Sequence, residues 1–132
     1  MKRILLLVWA SLLALMVTAQ TGAGECVEVV YFHGKQRCAT CMAIERNARE
    51  LVEKEFAAQR GKVRFKVVDI STPEGAKLAR DYRVTWSSLY VTRWRGGKEK
   101  RKDMTNFAFR YARSNPSKFK QGLRDEINKQ LK

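Results

Sequence analysis

Apolar positions along this chain repeat with two different periods, and the alternation between them lays out the fold. Val27-Glu-Val-Val-Tyr-Phe32 is a β-branched and aromatic run, the composition of a strand. Beyond the loop His33-Gly-Lys-Gln-Arg37 the spacing changes. Met42, Ile44, Ala48, Leu51, Val52 and Phe56 recur at helical intervals with charges between them. This predicts a helix that Cys38 opens, that carries Cys41 on its apolar stripe and that Gly61 ends. Val63 to Ile70 reads as a second strand, apolar through Val67-Val68. Ser71 or Thr72 then caps a short helix with Pro73 in its first turn and Ala76, Ala79 and Tyr82 on its inner face. Leu89 to Trp94 is a third strand with one face in the core, and Gly96-Gly97 is a hairpin turn. The return, Glu99 to Asp103, is so charged that it belongs at a sheet edge. Met104, Phe107, Ala108, Tyr111 and Ala112 mark a helical face, which Asn115-Pro116 interrupts. A last helix places Phe119, Leu123, Ile127 and Leu131 at four-residue steps.

A strand–helix–strand beginning requires a parallel pair joined by a right-handed crossover, and the hairpin adds antiparallel strands. The expected class is α/β: a central mixed four-stranded sheet flanked by helices, with Cys38 and Cys41 at the carboxyl end of the first strand. There is no internal repeat and no low-complexity linker.

The first residues change the picture of where the domain works. Lys2 and Arg3 precede an apolar run from Ile4 to Val17, and Thr18 to Gly24 is small and polar. That is the layout of a signal peptide over residues 1–23, cleaved after Ala19 or Ala23, with the domain in 24–132. The run is shorter than the roughly 18 to 20 residues that span a bilayer, though an uncleaved leader would leave the protein membrane-tethered. A periplasmic or extracellular location follows. The formal charge is +14, and removing residues 1–23 lowers it to +12. So basic a protein favours anionic partners, an anionic membrane surface among them; nucleic acid is not expected outside the cell. Nothing in the sequence calls for an oligomer, and a monomer is expected.

The candidate chemistry is Cys38-Ala-Thr-Cys41. A cysteine at a helix start sits over unpaired N–H groups and the positive end of the helix dipole, which favours thiolate and lowers its pKa. Lys35 and Arg37 are expected to push the same way. Cys41, one turn on and facing inward, should be more buried. That asymmetry suits thiol–disulfide exchange, with Cys38 attacking a substrate disulfide and Cys41 resolving the mixed disulfide. His33, of a residue type that changes charge near neutral pH, is either an auxiliary to the thiol or a surface residue.

With Phe32-His-Gly-Lys-Gln-Arg-Cys-Ala-Thr-Cys41 as its defining stretch and the element order from Val27 to Lys132, the chain resembles the thioredoxin superfamily. Within it, Tyr31 to Cys41 and Trp86-Ser-Ser-Leu-Tyr-Val91 look similar to small exported bacterial proteins of the ArsF type, labelled as a nitrophenyl-compound nitroreductase subunit. No flavin or nicotinamide site accompanies the resemblance, so no cofactor is expected. It implies an exchange enzyme acting on protein thiols or disulfides, with electrons passed to or from an envelope redox partner. It also directs attention to Trp86, Ser87 and Ser88 as the substrate loop. Thioredoxins carry a cis-proline there; with none between Val84 and Val91, a trans or rearranged loop is expected. They also carry a buried Asp in the first strand, where Tyr31 stands here, a poor base at neutral pH.

Two rival readings stay open at this point. Cys26, His33, Cys38 and Cys41 would complete a tetrahedral zinc set, and two or three of the thiolates would suit copper(I). Alternatively the fold is retained as a non-catalytic interaction domain. Cys26, the odd cysteine, is either a buried small residue, an intermolecular partner or a thiol that exchanges with the pair.

Overall fold

The structure is a computed structural model that describes residues 25–132; the expected signal peptide lies outside the described residues. Strand β1 (Cys26–His33) is followed by helix α1 (Ala39–Glu55), β2 (Val63–Asp69), α2 (Pro73–Tyr82), β3 (Ser88–Arg95), β4 (Lys98–Asp103), α3 (Thr105–Tyr111) and α4 (Pro116–Leu131). The four strands form one mixed sheet in the order β2-β1-β3-β4. β1 runs parallel to β2 and antiparallel to β3, and β4 is the charged edge. The class read from the sequence is the one observed.

Alternation along the strands divides the interior into two cores, one on each side of the sheet. On one side Val27, Val29, Tyr31, Leu89 and Val91 meet α1, α3 and α4 through Ile44, Leu51, Phe119, Leu123 and Ile127. On the other, Val30, Phe32 and Val68 meet α2 through Ala79 and Tyr82. The buried Asn47 ties the larger core together by donating from Nδ2 to the Ala112 carbonyl at 2.9 Å.

Local chemistry fixes the joints. Thr72 caps α2 by accepting the Gly75 N–H at 3.0 Å, and Asn115 caps α4 by accepting the Lys118 N–H at 3.2 Å. Gly96 and Gly97 both have positive φ, 57° and 73°, as a tight two-residue hairpin turn of the primed type demands. Gly75 is required for another reason: a Cβ there would lie 1.8 Å from the Asp69 carbonyl oxygen, so α2 packs directly on the end of β2.

Two details differ from expectation. α1 stops at Glu55 rather than at Gly61; Phe56 closes it, and a 3-10 turn (Ala57–Gln59) carries the chain to β2. Met42 is 48% exposed instead of facing the core. It sits two residues before Ile44, about 200° around the helix, so the two cannot share a face.

Candidate functional site

Cys38 and Cys41 form a disulfide at the start of α1, with Cα atoms 5.0 Å apart. Cys38 is the N-cap residue, in extended conformation, and its Sγ accepts the Cys41 N–H at 3.0 Å. Cys38 is exposed, whereas Cys41 is 6% exposed and belongs to the inner face of α1. Cys38 is therefore the more accessible of the two, although both line the same cleft.

Beneath the pair lies Tyr31, fully buried on β1, whose hydroxyl donates to the Cys41 carbonyl at 2.9 Å. Burial raises its pKa, while the neighbouring Ser87 and Arg37 side chains act in the opposite direction. Arg37 is held in place by Glu45 at 2.6 Å, and Glu45 also meets Arg49 at 3.4 Å.

An open cleft of about 570 Å³ lies in front of the sulfurs. Cys38, Cys41, Arg37, Trp86, Ser87 and Phe109 are among its lining residues. Trp86 is 58% exposed and stacks on Phe109 with ring centroids 5.2 Å apart, forming an aromatic shelf on one side. A second depression of about 550 Å³ between β2 and α2, lined by Lys66, Asp69, Thr72 and Lys77, has no cysteine near it.

The loop before β3 brings Trp86 and Ser87 into the lining of the cleft beside the cysteines. Ser88 does not line the cleft; it is buried as the first residue of β3, opposite Phe32, and its hydroxyl donates to the Trp86 carbonyl at 3.0 Å. Every peptide bond among the described residues is trans.

His33 and Lys35 are not among the residues that line the cleft. They lie beside Asp69 and add to the pull that Ser71 exerts in lowering its carboxyl pKa. His33 Nδ1 sits 2.9 Å from the Gly34 carbonyl. Of the three auxiliary candidates, only Arg37 lines the cleft.

The four-residue metal set does not assemble. Cys26 lies at the opposite end of β1 from His33, seven residues or roughly 23 Å away along a strand. No group of three or more Cys, His, Asp or Glu side chains converges among the described residues. The same distance removes Cys26 as a partner for the pair within one molecule. Nor is it a fully buried small residue; it is half-buried and makes no disulfide.

Sequence reasoning missed Ile70, Thr85 and Phe109. Only Phe109 left a trace, as an aromatic off the apolar stripe that Met104, Phe107 and Ala108 define.

No protein-family model matches the chain, and no curated protein matches it significantly by sequence. Solved structures do match by shape. A thioredoxin from Thermus thermophilus superposes with a TM-score of 0.53 at 21% identity, over 76% of this chain and 73% of that one. A structure described as a malarial protein gives a TM-score of 0.52 at 22% identity, over 81% and 99%. With the strand order and the placement of the cysteine pair, these matches establish that the chain has a thioredoxin-like fold.

Proposed function

We propose that this protein is an exported thiol–disulfide oxidoreductase whose redox group is the Cys38–Cys41 pair. One observation carries the reading: an exposed sulfur capping a helix N-terminus, bonded to the N–H of a buried cysteine, at the mouth of a cleft. The helix end and that N–H favour the thiolate of reduced Cys38, and the thiolate is the nucleophile in exchange.

In the reductive direction, Cys38 thiolate attacks one sulfur of a substrate disulfide and expels the other as a thiolate. Cys41 then loses its proton and attacks Cys38 in the mixed disulfide. The substrate leaves with two thiols and the protein carries the disulfide, a transfer of two electrons with no cofactor. Electrons return through an envelope redox protein; running the steps backwards oxidises a substrate. The Trp86–Phe109 shelf offers apolar area to a polypeptide lying in the cleft. The N-terminal apolar run supports export, and the similarity of Tyr31–Cys41 and Trp86–Val91 to exported ArsF-type proteins agrees with it. Nitroreductase chemistry is not part of the proposal.

The test is a redox titration in metal-free buffer, read by alkylation and mass. A midpoint between about −270 and −120 mV places the pair among exchange catalysts, and its position gives the direction of electron flow. A midpoint below about −300 mV marks an inert structural disulfide and ends the proposal in favour of a non-catalytic interaction domain.

A further inference from the structure

The β3–β4 hairpin distributes its charge unevenly between its two faces. In the observed register Arg93 lies opposite Lys100 and Arg95 opposite Lys98, with Lys102 opposite Val91. Side chains alternate along a strand, so Arg93, Arg95, Lys98, Lys100 and Lys102 share one face. The other face is neutralised. Arg101 there bonds Glu99 at 2.6 Å and Asp81 at 2.5 Å and lies 3.6 Å from the Tyr82 ring centroid. Trp94 donates to Glu28 at 3.1 Å. On the basic face Arg95 has one loose acidic neighbour, Glu25 at 3.6 Å. Arg93, Lys98, Lys100 and Lys102 form no ion pair among the described residues.

This arrangement works against the hairpin in isolation. Like charges directly opposite one another weaken strand pairing, and here two such pairs stand side by side. An external anion would reverse the sign of that effect. Three exposed lysines run along β4 at about 6.7 Å intervals, and two half-buried arginines stand about 5 Å across from them beside Gln130 and Leu131 at the end of α4. Trp86 and Met42 are the exposed large apolar side chains among the described residues, and neither lies on this face. It therefore offers no stacking platform of the kind single-stranded nucleic acid uses. Cys26 pairs with Trp94, so the chain enters the sheet beside the hairpin turn. The cysteine cleft is at the other end of β1.

We propose that the face formed by Arg93, Arg95, Lys98, Lys100 and Lys102 docks on an anionic lipid surface and leaves the cysteine cleft clear of it. The inference does not depend on the redox reading.

Protein purified after expression of the full sequence is floated with phosphatidylcholine vesicles, with and without about one third phosphatidylglycerol, at low salt and at about 0.5 M. Binding is expected only to the anionic vesicles at low salt. The triple variant Lys98→Gln/Lys100→Gln/Lys102→Gln should partition at least about tenfold less. The control Lys66→Gln/Lys77→Gln/Arg80→Gln removes as much charge from elsewhere and should stay within about twofold of the parent. Because the hairpin variant relieves like-charge repulsion, its melting temperature should equal or exceed the parent's, so weaker binding cannot be laid to unfolding. Equal losses in both variants would replace the docking face with diffuse net charge. Equal binding to uncharged vesicles, or no vesicle binding, overturns the proposal. Binding to polyglutamate or an oligonucleotide in place of vesicles overturns it in favour of that polyanion.

Discussion

At the scale of single residues, the two cysteines differ in access rather than in separation: Cys38 is open to solvent and Cys41 is covered. Two substitutions should therefore have opposite outcomes. Cys38→Ser should abolish reduction of a disulfide substrate, whereas Cys41→Ser should accumulate a mixed disulfide visible on a non-reducing gel. Exchange at the parental rate in Cys38→Ser would sink the assignment. Tyr31→Phe should leave the Cys41 carbonyl without its donor in a buried place and cost on the order of 1–3 kcal/mol in urea unfolding. A change below the error of that measurement would mean the hydrogen bond is replaced by water. Both cysteines, Tyr31 and Trp86 were legible in the sequence because motif spacing and chain position place them. Lys35 also stands near enough to Asp69 to lower its carboxyl pKa, a neighbour that its position along the chain did not give. Ile70 and Thr85 reach the cleft only through the docking of the sheet ends, and no local pattern encodes that.

At the scale of elements, periodicity located three strands and the helices, which bury one face, while the charged β4 was located by the Gly96-Gly97 turn before it. The errors were the facing of Met42 on α1 and the place where that helix ends. The end of α1 came a turn early because Phe56 anchors it in the core and the 3-10 turn takes over. Gly75 was unremarked, yet it sets how close α2 approaches β2. Gly75→Ala would drive a methyl into the Asp69 carbonyl, and α2 would have to shift. The expected cost is about 1–3 kcal/mol by denaturant titration, with the Cys38–Cys41 midpoint unchanged. A fully stable Gly75→Ala would show that the α2–β2 contact is looser than described.

At the scale of the whole molecule, titrating groups set the pH range of stability. Hydrogen bonds from Ser71 to Asp69, from Lys54 to Glu50 and from Arg124 to Glu55 lower these carboxyl pKa values. Their stabilisation is present above the ordinary carboxylate range, about 4, and is lost as pH falls through the lowered values. Burial raises the pKa of Tyr31 and Tyr82, so the folded state holds those protons more tightly. That contribution is intact below about pH 10 and disappears as pH rises through the raised values. Melting temperature should be flat from about pH 5 to 9 and fall on both sides; a rise on going from pH 6 to 3 would contradict the carboxylate contacts. Distance across the molecule has a practical consequence as well. In the oxidised protein Cys26 is the one free thiol of three cysteines, half-buried and roughly 23 Å from the far end of β1. A fluorophore attached there by alkylation would sit clear of the cleft. It would give a singly labelled reporter of partner capture and release, with no residue of the exchange site altered.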